Sequence, residues 1–556
     1  MKDLRSYASL VDLLDQAMAR HRDRTACLSF GHATTYGQLD ALASQWAHWL
    51  VSLGLPAQSR VAIMLPNVTA SLVALLGTLR AGLVVVNVNP LYTARELATQ
   101  LRDSESQVIV VFEAFAHTLA QLPLRDQPRH QVVVRAGDLL PRFKSGLINF
   151  VAHYVKRGIK PWRLPKSCLF TQVLENGRVY ERSGQGRQIQ QEQGAPRLPR
   201  LQASDLAFIQ YTGGTTGEPR GAMLTHANLV ANILQVGEVA HPAIGHLLDR
   251  PLTMFTALPL YHVFAMTVCA LYSLHAGMRI VLVTNARDLD TLVKTWKANP
   301  PEIFPGVNTL FNALLRHDGF RKLDFSSLRL TLGGGMAVHQ SVAEQWQELT
   351  GRPVIQGYGM SETSPVISAC QTDSTRFTGS VGRPLPGTGI QVLDGDRHPV
   401  AMGEVGEIAV RGPQVMAGYW RASQATLECM TADGFFLTGD LGFVDQQGCI
   451  TLVDRKKDMV LVSGFNVYPA EIDAVFAEHP DVLECAAVGF PDAQSGEAIK
   501  LFVVPRVAEV DKASLARWSE HRLTPYKRPR EFVLVDSLPK NAVGKTLRRI
   551  LRQMYD

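Results

Sequence analysis

Tyr211-Thr-Gly-Gly-Thr-Thr-Gly-Glu-Pro-Arg-Gly221, entered directly from the apolar run LAFIQ at 206–210, is the most chemically directed stretch of this chain. Gly213, Gly214 and Gly217 let backbone N–H groups approach an oxyanion closely, and Thr212, Thr215 and Thr216 add hydroxyl donors around it. Arg220 supplies a charge that neutralises phosphate. The loop is not of the Walker A type, because no Gly-Lys-Ser/Thr follows and Pro219 bars the usual helix start. So dense a cluster after an apolar strand reads as a phosphate cradle rather than a flexible polar loop.

Outward from that loop, apolar runs alternate with helical patterns. Residues 60–65 (RVAIML) and 107–112 (QVIVVF) read as buried strands, with an apolar helix over 71–81 between them and a more polar helix over 93–103. The alternation resumes with strands at 253–257, 279–283, 302–304 and 328–332, separated by helices of which the third is long. Such a pattern predicts two parallel sheets, each covered on both faces, filling the chain to about residue 370. From Gly379 the texture changes to short strands and glycine-rich turns (IQVLDGD, GEIAVRG, GCITLVD), which predicts an antiparallel, barrel-like section. Beyond the polar joint DRKKD at 454–458 lies a compact module of mixed strands and helices, of a common domain size. The expected class is therefore α/β: a large domain over 1–454, with two αβ-layered sheets and a distorted β-barrel, then a small α+β domain over 455–556.

With 556 residues, 46% hydrophobic and only 19% charged, the chain has ample material for large cores, which excludes a disordered or collagen-like protein. Lys+Arg 56 against Asp+Glu 50 leaves +6, too weak an excess to argue for nucleic acid. Seven scattered cysteines with no CxxC pair read as reduced thiols in a cytoplasmic protein, not as a disulfide framework or zinc site. The first 23 residues mix charges with apolar positions and predict an amphipathic helix, not a signal peptide. The stretch ALPLYHVFAMTVCALYSL at 257–274 approaches spanning length, but Pro259 and His262 make it a buried helix behind a loop. Residues 184–199 read as a polar connector.

The motifs resemble those of the adenylate-forming enzymes, the superfamily of acyl-CoA synthetases and luciferases. Five matches stand in order: 211–221, Gln356-Gly-Tyr-Gly-Met-Ser-Glu362, Thr438-Gly-Asp440, Asp454-Arg-Lys-Lys-Asp458 and Pro539-Lys-Asn-Ala-Val-Gly-Lys545. Within that superfamily VNVNPLYTARELATQL, ALPLYHVFAMT, GVNTLFNALL, GPQVMAGYW and VDRKKDMVLVSGFNVYPAEI are similar to bacterial long-chain fatty-acid–CoA ligases.

That resemblance implies ATP-dependent joining of a long-chain fatty acid to CoA through an acyl-adenylate, with Mg²⁺ held by Glu362 and Thr212. It implies a nucleotide site made by Thr212–Gly217, Gly334, Gly335, Gln356, Gly357, Tyr358, Ser361, Asp440 and Arg455, with Tyr358 stacked on adenine and Asp440 on ribose. Ser361 and Arg220 stand where many relatives have threonine and lysine, which keeps the hydroxyl and the charge. Lys545 is the implied adenylation catalyst, Lys457 the hinge, and Ser463, Gly464 and Phe465 the CoA channel after the small domain rotates. His262 is the implied gate near the carboxylate. Val263, Met266, Val307, Asn308, Thr309 and Met336 are the implied acyl pocket, where each buried CH₂ contributes ~0.8 kcal/mol.

Other readings weigh less. An acyl-AMP ligase would load a carrier protein, but no carrier domain follows Lys545. A luciferase-like oxidation needs a special substrate. A non-catalytic acyl or nucleotide sensor would be expected to lose Glu362, Asp440, Arg455 and Lys545, all present. A Rossmann dehydrogenase lacks GxGxxG after an early strand. Relatives often form homodimers. Residues 142–165 combine Leu147, Phe150, Val151, Tyr154 and Val155 with Arg142, Lys144, Lys156, Arg157, Lys160 and Arg163, a composition equally suited to an interfacial helix on anionic lipid at the inner membrane face and to an edge helix packed on the first sheet.

Overall fold

Helix starts are written into the sequence by threonine. Thr35, Thr93 and Thr225 each accept the N3 backbone N–H while the N3 side chain (Gln38, Glu96, Asn228) reaches back, closing a capping box. The helices so opened, Tyr36–Ser52, Ala94–Ser104 and His226–Ile244, cover sheets whose strands are nearly pure Val/Ile runs, such as Val84–Asn87 and Val108–Phe112. Strands buried on both faces have this composition because neither face meets water. The computed structural model describes residues 6–155, 158–182, 198–212, 219–492, 494–507, 510–541 and 544–555. The connector expected at 184–199 lies outside them except for its last two residues.

Two large sheets form, as the alternation predicts, with partners that it did not reveal. In the eight-stranded sheet Arg60–Met64 lies between Val84–Asn87 and Val108–Phe112, all parallel. Leu206–Thr212 pairs with Val84–Asn87, and the edge is finished by antiparallel Arg220–Thr225 and by Gly418–Tyr419, which returns from far along the chain. The nine-stranded sheet has Thr253–Thr256, Arg279–Leu282, Ile303–Gly306, Leu330–Gly333 and Val354–Gly359 as its parallel centre. The amino-terminal hairpin Thr25–Ser29/His32–Thr35 joins one edge and Val366–Ala369 with Arg383–Pro384 the other. Helix Leu10–Arg20 precedes the hairpin.

Three expectations are corrected. The antiparallel section is a four-stranded sheet in the order Gly389–Leu393, Gly406–Arg411, Phe436–Val444, Ile450–Arg455, and its outer strands do not pair with each other, so no closed barrel forms among the described residues. The long helix expected before 328 is two, Asn308–Leu315 and Asp318–Arg321. The second sheet runs past 370 to Pro384.

Helix Tyr36–Ser52 is approached at van der Waals distance from both sides through glycine. A Cβ on Gly77 would overlap the Ala43 carbonyl oxygen, and one on Gly177 the Gln45 carbonyl. From Val460 onward the residues have their own core, built on Val460, Ile472, Phe476, Leu501, Val503 and Leu515. The chain thus reaches its small module directly from the last strand of the four-stranded sheet.

Candidate active site

In an open α/β sheet the carboxyl ends of parallel strands form a ledge where ligands collect. Four such ends converge here: the turn after Thr253–Thr256 carries His262, Ile303–Gly306 leads to Val307, Leu330–Gly333 to Gly334 and Gly335, and Val354–Gly359 carries Gln356, Gly357 and Tyr358. Gly335 has φ +76°, a backbone shape that glycine adopts without strain, and the neighbouring Gly334 leaves room for the Phe264 ring.

Below the ledge runs a cavity enclosing about 880 Å³ of empty space, counted to its open mouth. One end is lined by His262, Gly333–Gly335 and Gln356–Met360, the other by Val239, Ala240, Ile244 and Tyr272. Its wall is almost wholly apolar, and helix His226–Ile244 contributes Val236, Val239, Ala240 and Ile244 to it.

Around the polar end stands a buried ionic cluster. Tyr358 donates its hydroxyl to Asp440 Oδ2 at 2.6 Å, and Arg455 Nε meets Oδ1 at 2.6 Å. Asp440 is 5% exposed, and both its oxygens are engaged, although each keeps a second lone pair. Glu362, 8% exposed, accepts from the Tyr419 hydroxyl at 2.8 Å, and burial holds its carboxyl above the usual range. Arg220 lies over the Tyr419 ring at 5.5 Å. Tyr419 was not singled out by sequence reasoning, although GPQVMAGYW contains it. Its strand is only two residues long and gives no periodic signal.

Lys545 enters this cluster from the small module. A tight turn presents it: its N–H donates to Asn541 Oδ1 at 2.9 Å, and Asn541 N–H donates to the Lys545 carbonyl. Gly544, at φ +82°, packs so closely on Thr309 that a Cβ would crowd the Thr309 hydroxyl. Behind it, Arg548 pairs with Asp473 and Arg552 with Asp458 at 3.3 Å, docking the last helix, Arg548–Tyr555, on the joint. Burial, then the Arg455 charge, lowers Lys545 to about 8. His262 is pushed to about 4 by burial and by Lys545. It is therefore neutral at pH 7, and because Nδ1 accepts the Phe264 N–H at 3.3 Å, Nε2 carries the proton.

The structure distributes the remaining sequence candidates as follows. Val263 lines the cavity, whereas Met266 borders a smaller pocket with Leu72 and Leu260 and touches Asn87. Val307, Asn308, Thr309 and Met336 do not line the cavity: Asn308 accepts from His339 N–H at 3.0 Å, and Thr309 faces Gly544. Val307 and Met336 lie just beyond strand ends, Val307 next to Gly335. Val236, Val239, Ala240 and Ile244, the apolar face of helix His226–Ile244, line the cavity without belonging to any motif. Gln356 spends its amide on Val338 N–H and the Ser380 carbonyl. Ser361 opens the short turn Ser361–Thr363. Thr212 donates to the Arg220 carbonyl at 3.3 Å, and Gly213, Gly214, Thr215, Thr216 and Gly217 lie outside the described residues. Lys457 is exposed, without a hydrogen bond or ion pair among the described residues, and partial desolvation with the nearby Arg455 charge lowers its pKa. Ser463, Gly464 and Phe465 form an exposed hairpin tip outside the cavity, Phe465 stacked on Tyr526 at 4.6 Å.

The chain is similar to known proteins along nearly its whole length. The family model described as AMP-binding enzyme matches residues 14–420, and that described as AMP-binding enzyme C-terminal domain matches 471–545. The long-chain-fatty-acid–CoA ligase of Escherichia coli O157:H7 is 45% identical over 98% of this chain and 94% of its own. The protein of the same name from Bacillus subtilis (strain 168) is 33% identical over the same shares. Among solved structures, ATP-bound MatB from Rhodopseudomonas palustris superposes with TM-score 0.78 at 28% identity, covering 98% of this chain and 99% of that one. The anthranilate CoA ligase AuaEII in complex with anthranoyl-AMP, at 23% identity, gives TM-score 0.83 over 99% and 97% and so shares the fold.

A lysine at about 8 makes the pH dependence specific. With its folded pKa below its free value, Lys545 is charged below about pH 8 and loses its proton above it, while bound anions pull the value back up. The rate of acyl-adenylate formation at subsaturating ATP is therefore expected to fall between about pH 7 and about pH 9.5. Lys545→Arg, slower but always charged, should lack that limb; a limb of equal position in both proteins would assign it to another group.

Proposed function

Because this chain belongs to the AMP-binding enzyme family, we propose that it is an ATP-dependent long-chain fatty-acid–CoA ligase working through a fatty acyl-adenylate. The observation that carries this is one continuous cavity, apolar along its length, that opens at His262 onto the Asp440–Arg455–Lys545 cluster. A fatty acid has that distribution of polarity: one anionic end and a long apolar remainder.

A carboxylate is a poor electrophile, so its oxygen first attacks the α-phosphorus of ATP. The bond from that phosphorus to the bridging oxygen breaks, and pyrophosphate leaves. Two anions must meet in this step, and Lys545 and Arg455 supply the positive charge that makes the approach affordable. The neutral His262 Nε2–H donates to the carboxylate and orients it. Tyr358 offers its ring to adenine and, with Arg455, holds Asp440 ready for the ribose hydroxyls. Gly213–Gly217 receive the phosphates. Glu362 and Thr212 suit Mg²⁺: a buried carboxylate with a raised pKa gains from an adjacent cation, and this ion takes most of its ligands from phosphate and water. When bound it neutralises triphosphate charge. In the second step the CoA sulfur attacks the acyl carbonyl, the acyl–phosphate C–O bond breaks, and AMP leaves. For this Lys545 withdraws, the small module turns about Lys457, and Ser463, Gly464 and Phe465 arrive to flank the pantetheine.

Release of AMP and pyrophosphate should require a fatty acid and, for multiple turnovers, CoA, and should rise with chain length across a panel from six to eighteen carbons. ATP cleavage without thioester would mean a carrier-protein partner. Binding without cleavage would mean a sensor.

The acid is taken up from an anionic membrane surface through the segment after residue 141. Helix Arg142–Phe150 buries none of its residues, and Phe143, Leu147 and Phe150 recur at i, i+4 and i+7, with exposed Tyr154 in the following turn. Phe143 is 88% exposed, so the stripe faces water and not the sheet. Arg142, Lys144, Lys160 and Arg163 make no ion pair among the described residues; Lys156, Arg157 and the side chain of Val155 lie outside them. No described helix is long and apolar enough to cross a membrane. Phe143→Asp with Phe150→Asp should abolish co-sedimentation with phosphatidylglycerol vesicles; unchanged binding would refute the assignment.

A further inference from the structure

Five side chains with polar atoms line the cavity, and four are accounted for. Gln356 bonds at both ends of its amide, Tyr358 donates to Asp440, and the Thr372 hydroxyl donates to the Val239 carbonyl at 2.8 Å. His262 uses Nδ1 on the Phe264 N–H and keeps Nε2 for the carboxylate. The fifth is Tyr272, 4% exposed, whose hydroxyl has no hydrogen-bond partner among the described residues. The hydroxyl is open to the cavity space, and an alkyl chain filling that space would strip it of water and leave it unpaired, so its presence in an otherwise apolar wall calls for an occupant that satisfies it.

The surroundings hold the ring in place. Tyr272 ends the segment Ala265–Tyr272 and packs on helix His226–Ile244 at Gly237, where a Cβ would sit 3.3 Å from Cε2. Any larger residue at 237 would press on the ring. His262 and Tyr272 are ten positions apart on one continuous helical run, with Phe264 and Val268 lining the wall between them. At ~1.5 Å or less per residue they are separated by at most about 15 Å along its axis. A polymethylene chain advances on the order of 1.3 Å per carbon, given ~1.5 Å bonds, so the phenol stands opposite the middle of the chain, no further than roughly the twelfth carbon from the carboxyl.

We propose that Tyr272 is a specificity-determining residue for the acyl chain, its hydroxyl hydrogen bonding an oxygen substituent on the middle carbons, so that the site takes hydroxylated long-chain fatty acids in preference to plain ones. The inference rests on the ligase reading above and deepens it. A wholly apolar wall accepts or rejects an added hydroxyl only weakly, whereas a partnered one discriminates by the hydrogen bond it would otherwise waste.

The test compares kcat/KM for 12-hydroxystearate, 10-hydroxystearate and stearate in the wild type and in Tyr272→Phe, which removes one oxygen and keeps the ring. The wild type should favour a mid-chain hydroxyl over stearate, and the ratio should fall about 5–10-fold in Tyr272→Phe, the size of one neutral hydrogen bond. 3-Hydroxystearate, whose oxygen stays near the carboxyl, should show no such change in ratio. An equal loss on all four acids would make Tyr272 a purely structural residue and overturn the inference, as would a hydroxyl-to-stearate ratio identical in both proteins. Turnover of no fatty acid by the wild type would instead refute the ligase reading, and this inference with it.

Discussion

The Asp440 carboxylate is the point on which the rest of this structure depends. Three parts of the chain meet at it: Tyr358 from the nine-stranded sheet, Asp440 itself from the four-stranded sheet, and Arg455 from the strand that leaves for the small module. A carboxylate this deeply buried is tolerated only when paired and hydrogen-bonded, and removing one partner from such a group costs several kcal/mol, typically ~3–5. The pairing therefore fixes where the small module begins and in which direction it departs.

Lys545 is brought to the same place without an ion pair among the described residues. Its position is secured from behind by Arg548 on Asp473 and Arg552 on Asp458, and in front by the contact of Gly544 with Thr309. Its charge is disfavoured by burial and by Arg455, which is why its pKa is low. In the proposed reaction two anions, a carboxylate and a phosphate, meet that charge. The carboxylate then loses its charge on becoming an acyl-adenylate and the β- and γ-phosphates depart as pyrophosphate, so part of the attraction for the lysine would go before the thiol arrives.

Much of this was legible in the sequence, for identifiable reasons. Strands such as Val108–Phe112 are unbroken β-branched runs because both faces are covered, and Thr93 with Glu96 announces a helix start in four letters. The polar motifs were readable because each packs several unusual residues into a few positions. What was not legible depends on contacts distant in sequence. Nothing in TACLS announces that it lies beside residues 279–282, and nothing in Gly418–Tyr419 that its hydroxyl reaches Glu362. Of the residues expected to form the acyl pocket Val263 lines the cavity, while much of its lining, such as Val239, Ala240 and Ile244, lies in segments that carry no motif. Tyr272 passed unnoticed as one more core aromatic; only its missing partner distinguishes it.

The central claim is that Lys545 serves the adenylation step alone, from the position seen here. Single-turnover measurements on Lys545→Met separate the two steps: acyl-adenylate formation from fatty acid and ATP, and thioester formation from supplied acyl-adenylate and CoA. The account requires the first to fall by orders of magnitude while the second stays within a few-fold of the wild type. Equal loss in both steps, or an unimpaired first step, would contradict it.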